Sequence, residues 1–366
     1  MRKRVVLAFG TRPEAIKMAP VYKELEKCRQ IEPLILLTGQ HKTQLEQALE
    51  IFDVPVARNL EVMTQCQTLP ELASRILPQA AAAFRQLKAD YVLVHGDTLT
   101  TFVSAWAAFL ERIPVGHVEA GLRSGSMSEP FPEEANRVLT DALCDTFFAP
   151  TEGARANLLK SGAPSGRIFV TGQTAVDAIL FAAQKGTLPE GVPARGPVVT
   201  VTLHRRENWP ILRPLAEQLA EVARCHEGWT FVFPVHLNPL VREAVVPPLS
   251  TAENVKLIDP LEYGRMAALL ARSTLILTDS GGLQEEGASL GVPVAVVRNV
   301  TERPEGVDAG IVTLLGCDPQ KAMAAFSALM DDSERIRKMA SAANPYGDGQ
   351  AASRIAKALA QRLCDA

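Results

Sequence analysis

Two segments of this chain pair glycine with residues that attract anions, and three more carry acids where a strand ends or a helix begins. LILTDSGGLQEE, 275–286, reads as strand, polar turn, two glycines and helix. Ser280 can cap that helix, and Gly281 and Gly282 let a phosphate approach free backbone N–H groups at its positive end. Glu286 follows Gly282 by four residues, one turn along the same face, where a carboxylate can accept both hydroxyls of a ribose. Phosphate plus ribose means a nucleotide. GTRPEAIK, 10–17, is the second anion candidate. Gly10 permits a tight turn, Thr11 and Glu14 have capping-box spacing, and Pro13 suits a first helical turn. The N–H groups of that helix start can face an anion, with Arg12 and Lys17 adding charge. His204 and Arg205 in LHRREN, and Arg303 in NVTERPEG, follow predicted strands and could stand opposite a diphosphate.

The acids suggest proton transfer. YVLVHGDT places Asp97 at the lip of a sheet. PVGHVEAG sets His117 and Glu119 two apart, the spacing of one strand face. EPFPEEANR puts Glu133 and Glu134 near a helix start, with Arg137 four residues after Glu133. Several titratable groups in one cleft suit acid–base work, because crowding and burial push their pKa values apart. His236 ends a further strand, while His95 and His226 read as structural or surface residues.

Something must hold these groups together. Short apolar runs near 4–10, 33–38, 91–96, 115–119, 146–149 and 168–171 read as strands, as do runs near 198–203, 230–235, 255–258, 275–278, 293–297 and 310–314. Between them, 14–29, 70–88, 213–225 and 262–272 carry helical periodicity. Such alternation predicts an α/β protein with two doubly wound, Rossmann-like domains facing a cleft, and ligands outside the carboxyl ends of the strands. The Pro- and Gly-rich segment 187–197 reads as a linker or surface loop close to the boundary.

Composition narrows the classes. With 366 residues, 47% of them apolar and 22% charged, two globular domains are expected. Thirty-eight Lys and Arg against 41 Asp and Glu carry no basic footprint, so no nucleic-acid partner is expected. No apolar run of 18 residues occurs, so no membrane span is expected, and the six scattered cysteines suit reduced thiols in the cytoplasm. No Walker A sequence occurs, no GxGxxG follows a strand, and nothing calls for metal.

Taken together, GTRPEAIKMAP, TGQH, HGDT, GHVEAGLR, PFPEEANR, HRREN, PVHLNP, TDSGGLQEE, TERPE and NPYGDG resemble the non-hydrolysing UDP-N-acetylglucosamine 2-epimerases almost end to end. The resemblance implies a glycosyltransferase-B-type fold, with residues 1–172 and 350–366 in one domain, 173–349 in the UDP-binding domain, and a C-terminal helix crossing back. It implies reversible conversion of UDP-GlcNAc to UDP-ManNAc by a cytoplasmic homodimer without cofactor or metal, supplying ManNAc units for cell-surface polysaccharide. Anti-elimination of UDP would give 2-acetamidoglucal, to which UDP adds back. Asp97, Glu119 and Glu133 would handle the protons, with His204 beside them. Arg12, Lys17, His204, Ser280, Gly281, Gly282, Glu286 and Arg303 would hold UDP, with Leu261 and Met266 near the uracil. Leu203 stands where many members have Gly, and Met266 where some have an aromatic residue. Gln40, His41, Arg205 and His236 match positions of a second, activating UDP-GlcNAc site, though Cys66 replaces an Arg there and Thr43 a polar amide. A glycosyltransferase of the same fold would need an acceptor pocket, and an inactive nucleotide-sugar sensor would be expected to have lost the three acids.

Overall fold

The computed structural model describes residues 2–39, 45, 49–64 and 66–364. The chain forms two compact units, Met1–Ala178 with Gly349–Ala366, and Ile179–Asp348. The division falls inside one helix, Thr174–Lys185.

In the first unit the chain runs β1 (Lys3–Phe9), α1 (Arg12–Glu26), β2 (Ile31–Leu37), β3 (Val56–Asn59), α2 (Leu69–Leu87), β4 (Tyr91–His95), α3 (Leu99–Leu110), β5 (Val115–Val118), α4 (Glu133–Leu143), β6 (Thr146–Ala149), α5 (Glu152–Lys160) and β7 (Ile168–Val170). All seven strands are parallel, in the order β3-β2-β1-β4-β5-β6-β7. Helices cover a parallel sheet on both faces, so its central strands are apolar throughout. YVLVH in β4 is accordingly buried at every position, and Val6, Val92 and Val94 pack against Ile76, Phe84 and Val103. The last helix, Ala351–Cys364, starts where the Asp177 carboxylate accepts the N–H groups of Ala351, at 3.2 Å, and Ala352, at 2.9 Å. An acid at a helix start satisfies donors that have no intrahelical partner.

The second unit repeats the plan. After α6 (Thr174–Lys185) come β8 (Val198–Thr202), α7 (Leu212–Cys225), β9 (Thr230–Pro234), α8 (Pro239–Leu249), β10 (Val255–Ile258), α9 (Tyr263–Arg272) and β11 (Leu275–Thr278). α10 (Gly281–Ser289), β12 (Val294–Val296), α11 (Pro304–Asp308), β13 (Val312–Leu314), α12 (Pro319–Asp331) and α13 (Ser333–Ala340) complete it. The parallel order is β10-β9-β8-β11-β12-β13. Its core joins Val199, Val201, Phe231 and Phe233 to Leu215, Leu219 and Phe326. Residues 187–197 form neither helix nor strand, and Arg272 donates to the Pro193 carbonyl at 3.0 Å and the Gly196 carbonyl at 2.7 Å. Among the described residues no helix is long and apolar enough to cross a membrane.

In both sheets the order in which strands are added reverses between the first and fourth strands, β1 beside β4 and β8 beside β11. Such switch points open a crevice at the carboxyl ends of the strands. The motifs sit there.

Candidate active site

In the first unit a buried carboxylate joins the two strand ends at the switch point. Glu14, 2% exposed, accepts the N–H groups of Gly10 (3.1 Å) and Thr11 (2.7 Å) through Oε2. Its Oε1 accepts the hydroxyls of Thr98 (2.7 Å) and Thr101 (3.1 Å), just past β4. The capping box therefore has a second task. Glu14 thereby occupies the N–H groups of Gly10 and Thr11, the two residues that precede the helix. Gly10 has no room for a side chain, since a Cβ would lie 2.2 Å from Thr38 Oγ1. Arg12 is exposed on the first turn of α1.

Lys17 faces a candidate acid. Its Nζ lies 2.6 Å from Glu119 Oε2, and His95 Nε2 stands 3.5 Å from the same oxygen. Burial pushes the Glu119 carboxyl up, but Lys17 and His95 outweigh it and hold the group well below the usual carboxylate range. Glu119 does not continue β5. The strand stops at Val118, and Glu119 takes φ 67°, the left-handed region that only a few per cent of non-glycine residues adopt. His117 and Glu119 thus leave the alternation expected from their spacing. His117 is fully buried and bonded elsewhere: Nδ1 to Asp141 at 2.6 Å, Nε2 to the Gly96 carbonyl at 2.7 Å. Arg123 holds the other Asp141 oxygen at 2.6 Å. Burial raises Asp141, yet His117 and Arg123 bring it below the ordinary aspartate value.

Asp97 follows β4, accepts an ion pair from Arg137, and is fixed through its carbonyl by Asn136 Nδ2 at 2.9 Å. Arg137 also reaches Glu134 at 3.4 Å, so it serves Asp97 and Glu134. Glu134 is structural: it is 3% exposed and accepts the N–H groups of Ser124 (2.9 Å) and Gly125 (3.3 Å). Glu133, at the start of α4, has a buried Oε2 without a hydrogen-bond partner among the described residues. The structure thus places Asp97 and Glu119 just past the carboxyl ends of adjacent strands, and ties Asp97 to α4, which Glu133 opens.

The second unit uses the same device with the acid on the other strand. Asp279, fully buried after β11, accepts the N–H groups of His204 (3.0 Å) and Arg205 (2.9 Å) and Asn208 Nδ2 at 3.2 Å. It thereby fixes the loop that follows β8. Ser280 is the N-cap of α10 by position, but its side chain makes no capping bond, contrary to the expected cap. Gly281 stands beneath two cations: a Cβ there would lie 3.5 Å from Arg205 Nη2 and 3.7 Å from Arg303 Cζ. Arg205, expected at a second site, therefore lies against the start of α10. Glu285 holds Arg303 Nε at 2.6 Å, and the buried Gln284 accepts Thr301 Oγ1 at 2.7 Å, setting the chain just before it. One turn along α10, Gly287 lets the helix press on the sheet, since a Cβ would meet Val294 Cγ2 at 2.5 Å.

His204 stacks on His236, ring centroids 5.5 Å apart. Burial lowers its pKa more than Asp279 raises it, and His236 and Arg205 add to the fall, so the imidazole is neutral near pH 7. Glu286 is half-buried on α10. Leu261 and Met266 pack with Ile258 on the small cluster of Val198, Val232 and Leu269. Gln40, His41 and Thr43 lie outside the described residues.

Sequence reasoning missed Asp279, Gln284 and the second role of Glu14, and took His95 for a bystander. TDSGG did contain a signal: an Asp after an all-apolar strand is costly to bury unless it is hydrogen-bonded.

Two doubly wound units, each a parallel sheet with a switch point between its first and fourth strands, define a glycosyltransferase-B-type fold. MurG of Acinetobacter baumannii shares it at 15% identity and TM-score 0.62, covering 99% of this chain and all of its own, a likeness of fold alone. The chain belongs to the UDP-N-acetylglucosamine 2-epimerase family, whose model matches residues 23–360. It is 46% identical to the UDP-N-acetylglucosamine 2-epimerase of Escherichia coli O157:H7 and 45% to that of Bacillus subtilis, covering 97% of this chain in both cases and 98% and 94% of theirs. The crystal structure of the Neisseria meningitidis UDP-GlcNAc 2-epimerase bound to UDP-GlcNAc matches at TM-score 0.81 and 41% identity, over 99% of this chain and 100% of that one.

Proposed function

We propose that this chain interconverts UDP-GlcNAc and UDP-ManNAc by eliminating UDP across carbons 1 and 2 and adding it back to 2-acetamidoglucal with a proton on the opposite face. Carbon 2 has no adjacent carbonyl, so its proton is removable only as the departing diphosphate builds positive charge beside it. That departure needs cations and open N–H groups. Arg205, Arg303 and the uncapped start of α10 supply them, and one such donor is worth about 2.7–4 kcal/mol in related oxyanion sites. Neutral His204 offers a further hydrogen bond. Glu286 takes the ribose, Leu261 and Met266 flank the uracil, and Arg12 adds charge.

Asp97, Glu119 and Glu133 handle the proton transfers. The observation that carries this reading is their unequal circumstances. Glu119 is held ionised by Lys17 and His95, Asp97 is paired with Arg137, and Glu133 has a buried oxygen with no partner among the described residues. Carboxylates in such different surroundings can act as base, stabiliser and acid of one reaction.

The enzyme is further proposed to be cytoplasmic and homodimeric. Trp106, Phe109 and Leu110 share the outer face of α3 while 40%, 55% and 55% exposed, an apolar patch of the kind that pairs subunits. A second UDP-GlcNAc activates it weakly, because Cys66, where an Arg would contact phosphate, cannot make a charge-assisted pair. Incubation with UDP-GlcNAc in D₂O, followed by proton NMR, tests the main reading. UDP-ManNAc carrying deuterium at carbon 2 is expected. Product with its original hydrogen, or no product, defeats it.

A further inference from the structure

We infer that His95 and Glu119 form a proton-sharing pair in which His95, acting through Glu119, holds the proton that the carboxylate collects. The inference rests on the elimination chemistry above. His95 ends β4, its side chain is 4% exposed, and among the described residues neither ring nitrogen has a hydrogen-bond partner. Buried polar groups are nearly always satisfied, so an imidazole whose contact with Glu119 is its one ion pair among the described residues calls for a reason. Its Nε2 lies 3.5 Å from Glu119 Oε2, longer than a good hydrogen bond, while Lys17 holds that oxygen at 2.6 Å.

The chemistry supplies the reason. A carboxylate strongly stabilised as an anion is a poor base toward carbon, because proton transfer is most efficient when the base's pKa lies near the operating pH. Imidazole titrates in that range. In the elimination, the carbon 2–hydrogen bond breaks, its electron pair becomes the carbon 1–carbon 2 double bond, and the bond from carbon 1 to UDP leaves with its pair. The proton goes to Glu119 and on to His95 Nε2. Glu119 is again an anion beside Lys17, and the charge rests on the imidazolium. A closure of about 0.5 Å brings Nε2 and Oε2 to the distance of a good hydrogen bond.

The groups around the pair fit this role. Lys17 comes from α1, and Thr101 donates to the His95 carbonyl while also bonding Glu14. His117 is bonded to the Gly96 carbonyl and to Asp141, so it does not compete for Glu119. His95 is a positioning and proton-holding residue that does not touch the sugar.

Two measurements on the full chain decide the matter. His95→Gln, with His95→Asn as a second variant should the first not fold, is expected to lower kcat by about 10²-fold or more while KM and UDP affinity stay within about two-fold. The low-pH limb of the kcat profile should move with it. Independently of activity, the His95 ring is titrated by NMR in the wild type and in Glu119→Gln, its signal assigned by subtraction or backbone connectivity. Removing the carboxylate 3.5 Å from Nε2 takes away what favours the imidazolium, so the His95 midpoint should fall. An unmoved midpoint, or near-normal kcat in a folded His95 variant, overturns the pair. A coupled titration in a protein that fails to epimerise UDP-GlcNAc would sustain the pair and sink the functional reading instead.

Discussion

Replacing Asp279 by Asn alters one atom in the second unit and removes the charge on which a whole loop hangs. Asp279 accepts from His204 N–H, Arg205 N–H and Asn208 Nδ2, all while fully buried. A hydrogen bond to a charged group contributes about 1.5–3 kcal/mol and a neutral one about 0.5–1.5, so three bonds lose about 3 kcal/mol in all. If the amide oxygen takes the Oδ2 place, the NH₂ group faces the His204 N–H, which Oδ1 accepts at 3.2 Å, donor against donor. In a unit of this size each kcal/mol lowers Tm by about 2–4 °C, so scanning calorimetry on the full chain should show one transition falling by roughly 6–12 °C. UDP affinity should fall as well, because Asp279 fixes the backbone that aims Arg205 at Gly281. Asp308→Asn, at an exposed position, is the control and should stay within about 0.5 kcal/mol. A Tm for Asp279→Asn within about 1 °C of wild type would refute the idea that this carboxylate organises the site.

Further outcomes are expected. Glu119→Gln, Glu133→Gln and Asp97→Asn should each lower turnover by about 10²–10⁴-fold with UDP binding retained, and a crippled variant should release UDP and 2-acetamidoglucal, both visible by NMR. Arg303→Met should weaken UDP in calorimetry, since it removes a cation beside Gly281 and leaves Glu285 unpaired. Asp141 has a depressed folded pKa, so its stabilisation is complete above the unfolded value and is lost as pH falls through the folded one. Asp141→Asn should therefore flatten the decline of Tm below about pH 4 while lowering Tm at neutral pH. Trp106→Glu should shift the species seen in analytical ultracentrifugation toward monomer, and an unchanged dimer would remove that face from consideration.

Much of this molecule could be read from residue order. Apolar runs of four to seven residues separated by amphipathic stretches announce parallel strands, because such strands are buried on both faces and helices on one. The acids and the SGG loop were legible for a related reason: polar residues after apolar strands lie at the strand ends, where ligands bind. β3 was not legible. VARN is short, partly exposed and half polar, so it carries neither an apolar run nor an alternation.

What only the tertiary structure decided are the pairings between distant residues. Glu14 meets Thr98 and Thr101, and Asp279 meets His204 and Arg205, across separations of 84, 87, 75 and 74 residues. Those meetings exist because strand order sets the first strand of each sheet beside the fourth, a choice made by packing the whole sheet and by no local signal. The same holds for Glu119. Its type and place were evident, but the left-handed turn that swings it off β5 toward Lys17 and His95 is fixed by the burial of its neighbours. Sequence tells which groups are present and roughly where each strand delivers them; which proton donor faces which acceptor depends on angles and distances that arise only when every strand has found its neighbours.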